Sequence, residues 1–172
     1  QVCLATSLAT IIVTSARSVT AHHRRGAVEW GILKSWAPGI VTGAILGVLV
    51  AAGLRSATLQ MIFGGLGISI GLYMLFGNAA WRLADEMPGP GLRWALSPLV
   101  GLLSVLMGIG GGSFGVPIMT LHGVPIHRAV ATAAGFGFII ALPSVVGFLF
   151  VDVIGAPPWS LGAVNIPAFL VV

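Results

Sequence analysis

The chain has 172 residues, 57% of them hydrophobic and only 7% charged, and its mean hydropathy is +1.06. A soluble domain carries about 25% charged residues, so this composition excludes a water-soluble globule and predicts an all-α, polytopic helical membrane protein. The net charge of +4 comes from eight Lys and Arg scattered over short connecting segments. They form no basic stripe interleaved with aromatics, which argues against a nucleic-acid partner.

A membrane-spanning helix needs about 20 mostly apolar residues. Runs of this kind are predicted at residues 2–21, interrupted only by Arg17, at 35–54 and at 57–77. The run at 94–109 is shorter and leads into a Gly-rich stretch, 110–123. The next run covers 129–151, and a last one opens near Leu161. Neither end is bounded by polar sequence and there is no initial Met, so a fragment of a longer protein is expected. Cys3 has no intramolecular partner and lies in an apolar run, which reads as packing.

The segments between runs carry nearly all the charge. His22-His23-Arg24-Arg25 through Lys34 is basic, 82–93 is mixed and contains Pro88-Gly89-Pro90-Gly91, 122–128 is basic, and 152–159 has no Lys or Arg. Lys and Arg concentrate in cytoplasmic loops. That rule places the first three segments inside and Asp152 outside. The fourth run must then enter the membrane and return before Arg128, which predicts a re-entrant or broken-helix hairpin at the glycines.

An internal repeat is also predicted. Residues 1–7 align with 127–133, with Ala5-Thr6 on Ala131-Thr132, and Ser18-Val19 aligns with Ser144-Val145. After a three-residue insertion, Trp30 falls on Trp159 and Pro38 on Pro167. The expected organisation is a single transmembrane domain. Residues 1–93 form most of a first repeat, lacking its Gly-rich loop, and 94–172 form the start of a second. The loop after the first copy is basic and its counterpart is not, as expected of copies inverted across the membrane, an arrangement common in secondary transporters.

The stretch from Gly108 to Pro117 is the most informative. Residues 110–115 match G-x-G-x-x-G, but no strand precedes them and no acidic residue follows until Asp152, so a dinucleotide site is rejected. Two readings remain open. Small residues let membrane helices pack closely. Alternatively, the segment is unwound and lines a cavity, where free N–H groups suit an anion. Four glycines in five positions each weaken a helix by about 1 kcal/mol, and Pro117 is expected to keep the segment from re-forming one. The hydroxyls of Thr6, Ser7 and Thr132 either donate to a substrate or bond the carbonyl four residues back. Arg17 is expected to snorkel to the interface, His22 and His23 to sit at the membrane surface, and Asn165, beside Pro167, to hold a helix break. The sequence contains no metal motif, cofactor motif, catalytic triad or carboxylate pair, so neither an enzyme nor a cofactor is predicted.

Gly108-Ile109-Gly110-Gly111-Gly112 running into Val116-Pro117, then Gly123 and Ala131-Thr132, resembles the TauE/SafE family of sulfite and organosulfonate exporters. Ala5-Thr6-Ser7 and Gly26-Ala27-Val28-Glu29-Trp30 support the resemblance. It implies a secondary transporter of small sulfur-containing anions in a bacterial-type inner membrane, built from two related halves. Its partners would be a small anionic substrate and the lipid bilayer. By position, the implied substrate-binding residues are Gly110, Gly111, Gly112, Ser113, Pro117, Thr132, Thr6 and Ser7. Ala133 stands where the family often has Ser. A carrier of another small metabolite, or a membrane scaffold without flux, are the other readings.

Overall fold

The computed structural model describes residues 2–76, 83–84, 86–151 and 158–171. Arg82 and Asp152, used above to orient the loops, lie outside the described residues, as does Gln1 of the repeat alignment. The elements in chain order are α1 (Val2–Arg24), α2 (Trp30–Gly53), α3 (Ser56–Phe76), α4 (Pro90–Met107), α5 (Gly112–Leu121), α6 (Ile126–Leu149), β1 (Ser160–Leu161), β2 (Val164–Asn165) and α7 (Ile166–Val171). Among the described residues, α1, α2, α3, α4 and α6 are long and apolar enough to cross a membrane. The protein is thus a polytopic helical membrane protein.

Helices run further than the apolar runs alone predict. α1 continues through His22 and His23 to Arg24, and α2 starts at Trp30 instead of Ser35. Charged residues at helix ends reach the interface, where water satisfies them, so they do not stop a helix as they would interrupt an apolar run. α4 starts at Pro90, whose missing N–H is no loss in a first turn. The last run departs most from expectation. Ser160–Leu161 pairs antiparallel with Val164–Asn165 around Gly162 at φ +54°, and the helix begins only at Ile166. The Asn165 side chain accepts the Ala168 N–H at 3.0 Å, so Asn165 starts a helix where a break was expected.

The core is built on α2 and α6. Trp36 of α2 stacks on Phe136 of α6 with ring centroids 6.1 Å apart, and both are buried. α2 packs on α4 through Gly39, Gly43 and Gly47, which meet Ser97, Pro98 and Val105 in that order, so the two helices run parallel. A methyl at Gly43 would overlap the Pro98 carbonyl, and one at Gly101 the Ile40 carbonyl. This small-residue seam brings backbone against backbone. α2 and α6 also run parallel, with Leu33 against Gly135 and Val48 against Gly147.

α1 runs antiparallel to α6. Its start lies beside the hairpin that follows α6, and the start of α6 lies beside the loop that follows α1. Residues 25–29, 83–84 and 122–128 share one face of the molecule. Arg128 is ion-paired with Glu29, and the Leu83 and Ala84 N–H groups donate to the Leu121 carbonyl at 2.8 and 3.3 Å. This is the basic face, called inner below. The hairpin at 160–165 is on the opposite, outer face.

The α2–α4 seam gives a direct test. Gly43→Val is expected to lower stability by about 3 kcal/mol, the upper end of overpacking costs, read as a drop in thermal unfolding midpoint in detergent. Gly31→Ala, at an exposed position with nothing within 4 Å, should leave the midpoint unchanged or raise it.

Candidate functional site

The site centres on the turn between α4 and α5. Gly108 ends α4 at φ +61°, a left-handed conformation that costs a side-chain-bearing residue about 1–2 kcal/mol. Its N–H reaches back to the Ser104 and Val105 carbonyls, and Ile109 N–H also donates to Ser104 at 3.1 Å. The Gly108 carbonyl accepts the Ser7 hydroxyl of α1 at 2.7 Å. The break is therefore held on its carbonyl side by α4's own cap and by a side chain from another helix.

The N–H side is different. α5 starts at Gly112 with no side-chain cap, and Gly115 N–H makes the first bond back, to the Gly111 carbonyl at 2.8 Å. Among the described residues, nothing accepts the N–H groups of Gly110, Gly111, Gly112, Ser113 and Phe114. A run of free donors at a helix start carries a positive partial charge and presents the geometry that binds anions.

The two readings of the glycines divide residue by residue. Gly111 and Gly115 are packing positions, because a methyl at either would run into Phe136. A methyl at Gly110 would make ordinary contact with Gly137 and Ile11, at 3.6 Å. Gly112 faces open space, with nothing within 4 Å. Pro117 does not keep the segment unwound. It sits inside α5, which is helical from Gly112 to Leu121. The unwound part is only residues 108–111. Pro117 removes a single backbone bond, and helices buried in membrane proteins absorb such a loss.

The structure separates the other residues named from the sequence. Ser7 reaches the break. Thr6 does not bond its own helix: its Oγ1 accepts the Asn165 N–H at 3.0 Å on the outer face. Thr132, fully buried, accepts the Glu29 N–H at 2.9 Å on the inner face. Ala133, where a serine was looked for, is buried and packs 3.7 Å from the Gly115 position.

A cavity of about 580 Å³ opens beside the break and is lined by Ser7, Gly108 and Ile109 together with Cys3, Ser56 and Gln60. A second, of about 390 Å³, lies between α1 and α7 and shares Cys3 and Ser7, adding Thr6, Thr10 and Asn165. Cys3 is exposed at both cavities, not packed as its apolar run suggested. Ser56 and Gln60 of α3 were missed. Their signal was a polar residue inside a spanning segment, which marks a functional site by default. Arg17 is exposed on the side of α1 that borders a shallow cleft with Thr20 and Arg24.

The comparison with known proteins decides the family. The family model described as sulfite exporter TauE/SafE matches residues 1–172. The chain belongs to the TauE/SafE family. A probable membrane transporter protein of Haemophilus influenzae is 29% identical over 170 residues, covering 97% of this chain and 64% of its own length. A probable membrane transporter protein of Methanocaldococcus jannaschii is 27% identical over 172 residues, covering 96% and 62%. The chain thus spans less than two thirds of the length of these TauE/SafE-like relatives. No solved structure matches it. As a TauE/SafE member it is a multi-pass protein of a membrane-transporter family.

The Ser7 contact is testable alone. Ser7→Ala is expected to cost about 1 kcal/mol, since it leaves the Gly108 carbonyl without its donor, and to speed hydrogen exchange at residues 108–114. Thr20→Ala, an exposed hydroxyl bonded only to its own helix at Ala16, should change stability by less than about 0.5 kcal/mol.

Proposed function

We propose that the full-length protein is a secondary carrier that exports small sulfur-containing anions, such as sulfite or organosulfonates, across a bacterial-type plasma membrane. One observation carries this reading: five consecutive N–H groups, from Gly110 to Phe114, have no acceptor among the described residues at a helix start, and they follow directly on Gly108 and Ile109, which line a cavity. Compact oxyanions match such a site, because each oxygen accepts several hydrogen bonds and the helix end favours negative charge. The Ser7 hydroxyl, with Ser56 and Gln60 across the cavity, adds side-chain polarity. The description of the matching family as sulfite exporters supports the substrate class.

The carrier reading includes two inverted repeats, residues 1–93 and 94–172. Several features support it. Gly-Ala-Val occurs at 26–28 and at 162–164, with both glycines at positive φ, +65° and +54°. Ala27 N–H donates to His22 and Ala163 N–H donates to Phe148, at 3.1 and 3.0 Å. His22 and Phe148 are equivalent in the alignment that pairs Thr6 with Thr132. Ile11 and Gly137, equivalent in the same alignment, touch each other where the antiparallel helices cross. This register replaces the pairing of Trp30 with Trp159 and of Pro38 with Pro167. Trp30 opens α2, whereas Trp159 precedes the hairpin, and the insertion between copies is ten residues instead of three.

The test is flux in proteoliposomes containing the full-length protein. Saturable movement of sulfite or of a small sulfonate is expected, with at least about a tenfold loss in Gly112→Leu, equivalent to 1.4 kcal/mol. Gly112 faces open space, so leucine fills the space beside the donors without displacing a packed neighbour. No flux of any sulfur oxyanion by the wild type would assign the family fold here to another solute or to a scaffold role.

A further inference from the structure

The two threonines taken from the sequence as substrate contacts do something else, and they do it in the same way on opposite faces. Thr132 of α6 accepts the N–H of Glu29, the residue that precedes α2. Thr6 of α1 accepts the N–H of Asn165, the residue that precedes α7. In each case a buried hydroxyl from one helix takes up an N–H at the start of a helix from the other half of the chain. The residues before the two donors, Val28 and Val164, are each 8% exposed.

We infer that Thr132 and Thr6 are positioning residues forming two clasps, one closing the inner end of the carrier and the other the outer end. The inference rests on the carrier reading but not on the identity of the solute. A buried N–H without an acceptor is costly, so an end opens only when water or a rearranged partner replaces the threonine. Because the two clasps use the same donor and acceptor chemistry, breaking the threonine hydrogen bond costs about the same at either end. A carrier needs this balance if a bound ligand is to tip it from one state to the other.

The clasps differ in their reinforcement. At the inner end, Glu29 is also paired with Arg128, and both side chains are exposed enough for salt to weaken the pair. At the outer end, the Asn165 side chain donates to the Pro158 carbonyl and the Ser160 hydroxyl and caps α7. Ionic strength is therefore expected to loosen the inner clasp.

Thiol accessibility tests the inference without any transported solute, so its failure is distinct from a failure of the anion reading. The full-length protein is used in nanodiscs, where both faces are reachable, in a Cys3→Ala background because Cys3 is exposed. Val28→Cys and Val164→Cys report the inner and outer clasps through their rate of reaction with a charged maleimide. Thr132→Val is expected to raise labelling at position 28 about tenfold, a shift of the size given by one lost buried hydrogen bond, with no rise at position 164. Thr6→Val should do the reverse. Thr→Ser at either position should restore the wild-type pattern. If a valine variant does not fold, Thr→Ala at the same position replaces it. The inference is overturned if one substitution raises labelling at both reporters, as general loosening would, or if neither reporter responds.

Discussion

Hydrocarbon offers no water to a broken backbone hydrogen bond, and the way this chain meets that constraint shapes its centre. Helix α4 ends inside the membrane-spanning region, so the groups freed at residues 108–111 need partners from the protein. Part of the carbonyl side finds them. Gly108 turns left-handed so that its own N–H folds back on α4, and Ser7 crosses from α1 to donate to the Gly108 carbonyl. The donor side does not find them among the described residues. The free N–H groups leave the helix start electropositive, just past the Gly108 and Ile109 wall of a cavity, with no charged side chain involved among the described residues. An anion site of the proposed kind needs no lysine or arginine at membrane depth, where a charge would be costly.

Placing that break requires helices to come unusually close, which is what Gly43, Gly101, Gly111, Gly115 and Gly135 allow. The α2–α4 seam brings Gly43 and Gly101 against opposing carbonyls, so the outgoing half of the hairpin is fixed to a long helix. The returning half, α5, is fixed to α6 by Gly111 and Gly115 under the ring of Phe136. Phe136 in turn stacks on Trp36 of α2. The aromatic pair therefore links the wall behind the break to the helix that carries α4. Bulk at any of these contacts would shift the break relative to Ser7, and the geometry of the free donors with it.

Much of this was legible in the sequence, because hydropathy is read over twenty residues at a time and errors in single positions cancel. The five long helices follow from it, and the break follows from the glycines after Gly108 and from the charge of the flanking loops. The helix ends did not follow, since interface residues such as His22 and Trp30 are polar enough to look like loop yet continue the helix. Pro117 was misread for a related reason: its penalty is one hydrogen bond, and flanking helical residues outweigh it. For the proposed repeat, the alignment by Ala-Thr, Ser-Val, Trp and Pro puts Trp30 on Trp159, whereas the structure offers Gly26-Ala27-Val28 against Gly162-Ala163-Val164, whose glycines share positive φ and whose valines share burial.

The threonines show what sequence alone leaves open. A hydroxyl in an apolar helix has three uses: a solute, its own helix, or a neighbour's unmet donor. Only the third depends on an element far along the chain, over 100 residues away for Thr132 and more than 150 for Thr6. Once those donors are located, the proposed carrier separates into a centre that holds charge and two ends that hold shape. The centre leaves its N–H groups free while the ends have theirs met. A solute entering the centre can change the balance between the ends only through contacts that differ between the two states. Ser7 is well placed to transmit that difference. It touches the break through the Gly108 carbonyl and directly follows Thr6 on α1, so a shift of the hairpin pulls on the helix that closes the outer end.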